Sequence, residues 1–222
     1  MATIMVFAPH PDDDIIGCGG SIAHHIQSGD EVSIVYLTSG EAGSLQHTPQ
    51  ELALVREAEA QNAAAVLGIK EITFLGNPDG YLQYSQENLD WIVASLRDKK
   101  PTVVYTPHSG EAIPDHLETY RLVVEGCRRA AGPWFPECGT EPWQVRTILG
   151  YEVWTPLSRV GYCRDITAFM SLKTEALQMH KTQTCGMPFH EAIQGLNRYR
   201  GIMSGKGDYC ECFELIQAQP GD

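Results

Sequence analysis

The stretch that decides the fold is ATIMVFAPHPDDDIIGCGG, residues 2–20. It begins with a short apolar run, Ala2–Ala8, whose length suits a strand buried inside a sheet. An acidic turn follows directly, because three consecutive carboxylates, Asp12–Asp14, stand beside His10. Such neighbours repel one another unless a cation neutralises them, and the glycines after them permit a close backbone approach. We therefore expect a buried strand that carries a charged site to one edge of a sheet.

Strand-like and helix-like patterns alternate along the rest of the chain. The apolar patterns predict strands at Ala2–Ala8, Glu31–Thr38, Glu71–Leu75, Thr102–Thr106, Thr147–Trp154 and Tyr209–Ile216. Helices are predicted between them, at Gly19–Gly29, Thr48–Leu67, Asn88–Arg97, Asp115–Ala131 and Ile166–Thr182. Because this alternation implies right-handed crossovers and parallel strands, we predict an α/β fold, a Rossmann-like three-layer sandwich with a mostly parallel central sheet. No shift in composition divides the chain, so residues 1–222 are expected to form a single domain.

Composition and charge narrow the classes of partner. The chain has 16 Lys+Arg and 28 Asp+Glu, a formal net charge of −12, which repels phosphate backbones and anionic membrane leaflets. We therefore expect a small-molecule substrate, no nucleic-acid partner and no membrane partner. The segment Met1–Pro9 lacks the basic residues of a signal peptide, and the seven cysteines are scattered with no Cys-x-x-Cys pair. These features predict a cytoplasmic protein with reduced thiols.

The glycines after the acidic turn raise two functional alternatives. Gly17-x-Gly19 matches the opening of a dinucleotide-binding fingerprint, but Ile22 occupies the place of its third glycine, and three carboxylates would repel a pyrophosphate. A metal site fits better, because His10 and Asp13 stand three residues apart on a turn and can converge on one divalent ion. A role limited to capping and turning the chain is the remaining alternative.

A second acidic-histidine cluster follows the fourth predicted strand. Pro114 suits the first turn of a helix, so Asp115 and His116 are expected at that helix's N-terminus. If strands one and four are neighbours at the switch point of a doubly wound sheet, both clusters emerge in one crevice beyond the carboxyl ends of the strands. Two independent clusters in one crevice indicate a site more strongly than either motif alone.

Such a crevice could hold a catalytic metal. His10, Asp13 and His116 would place two nitrogens and one oxygen around the ion and leave a coordination position open, as catalytic zinc sites do. Zn²⁺ lowers the pKa of a bound water to about 7, and Asp12 is placed to take a proton. The same donor set describes Fe²⁺ oxygenases, but those enzymes usually have all-β barrels.

The residues that carry these inferences resemble a known family. Pro9–Gly20 is similar to the signature of the LmbE-like, or PIG-L, deacetylases, which are metal-dependent N-acetylglucosamine deacetylases. Further resemblances lie at Thr38–Gly43, Arg56–Ala60, Gly76–Gly80, Pro114–His116, Tyr151–Trp154, Asp165–Thr167 and Lys173–Gln183. The resemblance implies hydrolysis of the acetamide of an N-acetylglucosamine-type sugar or glycoside, which releases acetate and a free amine. It also implies Zn²⁺, or else Fe²⁺ or another divalent ion, and is compatible with a homo-oligomer.

The resemblance also implies roles for individual residues. The implied metal ligands are His10, Asp13 and His116, the implied general base is Asp12, and the implied sugar-binding residues are Arg56, Asp79 and Glu41. The residues by themselves leave simpler roles open for the last three. Glu41 could cap a loop, Arg56 could be a surface helix charge, and Asp79 in Pro-Asp-Gly could be an ordinary turn residue.

Two positions depart from the family pattern. Asp14 stands where members commonly have Glu, and a structural role is expected for it. Ile113 stands where many members have a histidine assigned to stabilising the oxyanion or protonating the leaving amine, and isoleucine does neither. His108 and His180 are candidates to replace that imidazole, and Asp115 is a candidate to orient a ligand histidine. A non-catalytic metal- or sugar-binding member of the same fold is therefore the alternative function.

Substrate specificity is expected in two loops where the resemblance is weakest. The first, Gly132–Trp143, has glycines, prolines and aromatic residues without periodicity. It is either a surface connection or a lid, because long aromatic loops in α/β enzymes often cover sites. The second is Cys185–His190.

Overall fold

The computed structural model describes residues 1–219, so the last three residues of the predicted domain lie outside the described part. Within that part, seven strands form one sheet in the order β3-β2-β1-β4-β5-β7-β6. They are β1 Thr3–Ala8, β2 Glu31–Thr38, β3 Glu71–Asn77, β4 Val103–Pro107, β5 Thr147–Tyr151, β6 Tyr162–Asp165 and β7 Cys210–Gln217. The first five strands are parallel, and β7 runs antiparallel to both β5 and β6. The predicted α/β fold with a mostly parallel sheet is confirmed.

Helices cover both faces of this sheet. They are α1 Asp13–Gln27, α2 Pro49–Leu67, α3 Gln86–Lys99, α4 Pro114–Ala130, α5 Met170–Leu177, α6 Lys181–Thr184 and α7 Phe189–Ser204. Apolar residues of α1, α2, α5 and α7 form one core layer, and those of α3 and α4 form the other. In β1, Ile4, Val6 and Ala8 face the first layer while Met5 and Phe7 face the second. The continuous apolar run of β1 therefore reflects burial on both faces of the sheet.

The first helix begins earlier than the sequence predicted. It starts at Asp13, six residues before Gly19, and contains a kink at Cys18. Its glycines permit close packing inside a helix: a Cβ on Gly17 would overlap the ring of Tyr151, and a Cβ on Gly20 would lie 2.7 Å from Cβ of Ile166. The predicted start at Gly19 was wrong because tertiary packing here outweighs the low intrinsic helix propensity of glycine.

The C-terminal half differs most from the prediction. The single predicted helix Ile166–Thr182 is divided into α5 and α6. In the first turn of α6, N–H and Oγ1–H of Thr182 donate to the carboxylate of Glu59 in α2 at 2.9 and 2.7 Å. The short edge strand β6 was not predicted. Helix α7 was missed as well, since its buried residues Ile193, Asn197 and Gly201 give almost no apolar periodicity.

The aromatic loop Gly132–Trp143 is not a lid. It joins α4 to β5, so it lies at the amino ends of the parallel strands, whereas a crevice of this fold opens at their carboxyl ends. The guanidinium of Arg97 anchors it by donating to the carbonyl oxygens of Phe135, Gly132 and Trp134 at 2.7, 2.9 and 2.6 Å. The interpretation of this segment as a lid or specificity loop was therefore wrong.

The cysteines behave as the sequence indicates. All seven are free thiols. Cys210 and Cys212 lie on one side of β7, where they pack with Cys163 from β6. Among the helices of residues 1–219, none has the length and apolar character needed to cross a bilayer.

Candidate metal centre and active site

The two acidic-histidine clusters meet at the carboxyl ends of β1 and β4. These strands are parallel neighbours, with Ile4 paired to Val103 and Val6 to Tyr105, so the predicted switch point is confirmed. A cavity of about 250 Å³ opens there. Its walls are formed by His10, Asp12, Asp13, Ile16, Arg56, Asp79, Gly80, Ile113, Pro114, Asp115, Trp154, Gln183 and Phe189.

The three predicted metal ligands converge on one point. Oδ2 of Asp13 lies 3.0 Å from Nδ1 of His10 and 3.3 Å from Nε2 of His116. Donor atoms that each stand about 2.1 Å from a tetrahedral zinc ion are roughly 3.4 Å apart. The separations observed here match that spacing.

The surroundings of His116 show whether a metal ion fits between these three donors. The His116 ring is completely buried, and neither ring nitrogen has a hydrogen-bond partner within residues 1–219. A buried polar atom without a partner costs about 1–3 kcal/mol, and a cation bound at Nε2 would remove that cost. Burial alone would raise the pKa of Asp13, but His116 and His10 outweigh burial and hold that pKa far below its usual range. The residues present therefore suit a divalent ion.

The other ring nitrogen of His10, Nε2, also lies beside carboxylates. This atom lies 3.0 Å from Oδ1 of Asp79 and 3.3 Å from Oδ2 of Asp115. Asp115 is itself fixed by the backbone N–H groups of Gly80 and Leu82, which donate to it at 2.7 and 3.2 Å. A carboxylate that accepts from Nε2–H leaves Nδ1 free to bind a metal. This contact is the one expected if Asp115 orients a ligand histidine.

Asp12 sits at the start of α1 in a rare backbone conformation. Its φ is 133°, in a region that non-glycine residues seldom adopt and that marks strain at functional sites. Its carboxylate is largely buried, and Oδ1 lies 3.3 Å from Nη2 of Arg56. Burial raises the pKa of Asp12 to about 7, although Arg56 acts in the opposite direction. A carboxyl group with such a pKa can both accept and return a proton near neutral pH.

Arg56 is not a surface charge. It is 4% exposed, and its guanidinium donates to the carbonyl oxygens of Gly40 and Pro11 at 3.0 and 2.6 Å. Gly40 has a φ of 67°, and a Cβ there would overlap the guanidinium. Arg56 therefore joins the loop after β2 to the acidic turn while it lines the cavity.

The other two predicted sugar-binding residues lie in the loops after β2 and β3. Asp79 lines the cavity, and its Oδ2 accepts a hydrogen bond from N–H of Ala42 at 2.9 Å. Glu41 is outside the cavity wall, and its Oε1 accepts from N–H of Asp79 at 2.7 Å. Glu41 therefore holds the Asp79 turn in place. This contact agrees with the loop-capping role that the sequence left open for Glu41.

Neither candidate for the missing imidazole lines the cavity. Ile113 does line it. Nε2 of His108 lies 2.7 Å from the carbonyl oxygen of Thr155, and its Nδ1 accepts from Gly110. His180 is completely buried, and burial lowers its pKa to about 3. Both rings are held beneath the wall, so the structure does not bring them to the place that the family histidine would occupy.

Asp14 faces away from the cavity. Its Oδ2 accepts a hydrogen bond from the hydroxyl of Tyr36 at 3.1 Å, and burial raises its pKa to about 7. This position agrees with a structural role.

Sequence reasoning assigned no role to several residues at the cavity. Trp154 and Phe189 pack edge to face across its mouth, with ring centroids 5.7 Å apart. Glu111, from the loop between β4 and α4, lies behind the wall near His116. Trp154 follows β5, so the rule that carboxyl ends share one edge could have found it. Phe189 lies in Cys185–His190, but nothing in the sequence pairs Glu111 with its contacts.

Comparisons with known proteins agree with this geometry. The family model PIG-L: GlcNAc-PI de-N-acetylase matches residues 5–127. The diacetylchitobiose deacetylase of Thermococcus kodakarensis is 32% identical over 189 residues, which cover 81% of this chain and 69% of that protein. The match to the family model includes both acidic-histidine clusters.

Solved structures share the fold over almost the whole chain. N,N'-diacetylchitobiose deacetylase from Pyrococcus horikoshii, in complex with its inhibitor MPG, superposes with a TM-score of 0.87 at 29% identity, covering 97% of this chain and 84% of that one. GalB, the 4-carboxy-2-hydroxymuconate hydratase from Pseudomonas putida, gives 0.91 at 21% identity over 100% and 99% of the two chains. The second likeness concerns the fold alone. The sequence match, the sheet and the crevice together show that this chain belongs to the PIG-L family of GlcNAc-PI de-N-acetylases.

Proposed function

We propose that this protein is a divalent-metal-dependent N-deacetylase. It hydrolyses the acetamide of an N-acetylglucosamine-type sugar or glycoside and releases acetate and a free amine. The observation that carries the proposal is the convergence of His10, Asp13 and the buried His116, whose ring nitrogens make no hydrogen bond, beside Asp12. Family membership supports the same activity.

The proposed metal ligands are Nδ1 of His10, a carboxylate oxygen of Asp13 and Nε2 of His116. Two imidazole nitrogens and one carboxylate suit Zn²⁺, and they also suit Fe²⁺. When bound, the ion supplies Lewis-acid chemistry, which polarises the acetamide carbonyl and makes water more acidic.

Asp12 is the proposed carrier of the proton. It takes a proton from the hydrolytic water as the oxygen attacks the acetamide carbon. It then gives that proton to the nitrogen as the C–N bond breaks. The oxygen of the water therefore ends in acetate, and the transferred proton ends on the amine. Arg56 holds the carboxylate of Asp12 in place. Because Ile113 offers no hydrogen bond, Asp12 has no imidazole to share this work.

The cavity suits one sugar ring. Arg56 and Asp79 offer a cation and a carboxylate to sugar hydroxyls, and Glu41 supports Asp79 from behind. The rings of Trp154 and Phe189 form an apolar wall against which the carbon-bound hydrogens of a sugar can pack. A volume of about 250 Å³ favours an enclosed N-acetylhexosamine whose aglycone extends past these aromatic rings.

The test is release of primary amine by the zinc-loaded protein. The substrates are N-acetylglucosamine, diacetylchitobiose and an N-acetylglucosaminyl inositol, with N-acetylgalactosamine as an epimer control. We expect amine and acetate in equal amounts from at least one glucosamine derivative. The absence of amine with every substrate, while the metal stays bound, would overturn the proposal.

Ile113 favours one rival, a protein that holds metal and sugar without turnover. Calorimetry on the same panel separates the two. Sugar binding without amine release identifies the non-catalytic protein, whereas binding with release supports the deacetylase. Gel filtration with light scattering tests the prediction of a homo-oligomer, and the cytoplasmic location stays a prediction.

A further inference from the structure

Glu111 is a buried carboxylate whose two oxygens face two different parts of the crevice. It lies between β4 and α4, close to His116 in sequence, and is 3% exposed. A carboxylate at such depth requires partners, because burying an unpaired charge is costly. The groups that contact the Glu111 carboxylate therefore indicate its role.

One oxygen holds the segment that carries the aromatic wall. Oε1 of Glu111 accepts hydrogen bonds from the backbone N–H groups of Val153, Trp154 and Thr155 at 2.8, 3.1 and 3.2 Å. The N–H of Trp154 also lies 3.3 Å from Oε2, and Nε2 of His108 lies 3.4 Å from Oε1. The three backbone donors follow Tyr151, at which β5 ends. The contact turns the chain so that Trp154 reaches the cavity.

The other oxygen faces a proposed metal ligand. Oε2 of Glu111 lies 3.6 Å from Nδ1 of His116, whose opposite nitrogen points at Asp13. When Nε2 of a histidine binds a metal, Nδ1 carries the proton, and a carboxylate beside that proton fixes the tautomer and the ring orientation. Glu111 is placed to be that carboxylate.

We propose that Glu111 is a positioning residue that couples the metal ligand His116 to the aromatic wall at Trp154. One side chain fixes the tautomer of the ligand and the path of the segment that faces the sugar. The proposal rests on the metal site proposed above, because it assigns Nε2 of His116 to the ion.

The chain offers a matched control in Glu152. This carboxylate is also buried, and its Oε1 accepts a hydrogen bond from N–H of Leu157 at 2.6 Å and another from Arg200. It holds the continuation of the same segment at Leu157. A residue that merely holds the segment should therefore behave alike at both positions.

The experiment compares Glu111→Gln with Glu152→Gln by measuring the Kd for zinc. Metal-free protein competes with a chromogenic chelator, so no turnover is involved. In Glu111→Gln, the amide oxygen stays with the three backbone donors, which turns the amide NH₂ toward Nδ1–H of His116. We expect zinc binding to weaken by about 10- to 100-fold. Glu152→Gln should stay within about twofold of the wild type, since it touches no ligand.

A second measurement needs no variant. Nitrogen NMR of the histidine rings in the zinc-loaded wild type should show His116 protonated at Nδ1 and metal-bound at Nε2. The reverse tautomer, or equal zinc affinities in the two glutamine variants, would overturn the role of Glu111. Zinc binding is read separately from amine release, so a failed substrate panel leaves this test intact. A wild type that binds no zinc would overturn both proposals.

Discussion

Helix α1 carries two buried polar clusters that differ in how completely their atoms are paired. Near its middle, Glu211 accepts hydrogen bonds from N–H of Gly20, from N–H and Oγ of Ser21, and from Nζ of Lys173, at 2.6 to 2.8 Å. Lys173 completes its own set with Asn197 at 3.0 Å. Every charge in this cluster has a partner, which is what stability requires of a buried ion pair.

The other cluster lies at the N-terminus of the same helix and is incomplete. His116 has no hydrogen-bond partner among residues 1–219, and Asp12 holds a strained φ. Neither cost is required by folding, because an apolar residue in place of His116 would avoid the first and glycine in place of Asp12 would avoid the second. Of these two clusters on α1, the one that faces the crevice is the one that keeps a buried histidine without hydrogen bonds and a strained backbone.

The largest effect is expected from Asp12→Asn. The amide keeps the shape of the side chain but cannot take a proton, so turnover should fall by about 10²- to 10⁴-fold. Zinc content, measured by elemental analysis, should stay at the wild-type level. Asp30→Asn, at the opposite end of the sheet, is the control and should keep its turnover. Full activity in Asp12→Asn would remove its role as proton carrier.

Glu211→Gln should break the complete cluster instead. It leaves Lys173 buried without its counter-charge, and we expect unfolding free energy to fall by about 3–5 kcal/mol in urea titrations. Glu125→Gln, which disturbs an exposed ion pair with Arg128 on α4, should cost under about 1 kcal/mol. Adding Lys173→Met to Glu211→Gln should recover part of the loss, because no unpaired charge then stays buried and the amide oxygen can still accept from Gly20 and Ser21. Equal losses in the two glutamine variants would contradict this contrast.

Removing metal should destabilise only the incomplete cluster. Zinc at about 100 times its Kd stabilises a protein by about 2.7 kcal/mol through mass action, so chelation should lower the melting temperature of the wild type. In His116→Ala, zinc should no longer raise it. In Glu211→Gln, zinc should still raise it, since that cluster holds no ligand. If zinc still raised the melting temperature of His116→Ala, the metal would bind at a different site.

A smaller effect is expected from acid. The pKa of His180 in the folded chain is about 3, below the usual 6.5 of an unfolded chain. The stability linked to this neutral ring is therefore complete above pH 6.5 and is lost as pH falls toward 3. Between pH 7 and pH 5 the loss is about 2 kcal/mol. His180→Leu should flatten that part of the urea-derived stability profile, and an unchanged profile would show that the ring is already charged when folded.

The sequence predicted the incomplete cluster better than the complete one. Asp12 and Asp13 are adjacent to a strand, and Pro114 to His116 form one short motif, so local patterns and one topological rule were enough to bring them together. Glu211 and Lys173 stand 38 residues apart on a strand and a helix, and no local signal joins them. Buried pairs of this kind depend on how the C-terminal layer packs.

The sequence by itself determined the α/β alternation, the parallel central sheet and the meeting of two acidic-histidine clusters at one edge. These follow from apolar periodicity and from the fixed handedness of strand crossovers, which act over short stretches of chain. Only the tertiary structure decided that Gly132–Trp143 lies at the opposite end, that Trp154 and Phe189 form the wall, and that Glu111 stands behind His116. Those contacts depend on side-chain packing between distant segments, where a difference of one helical turn changes which atoms meet.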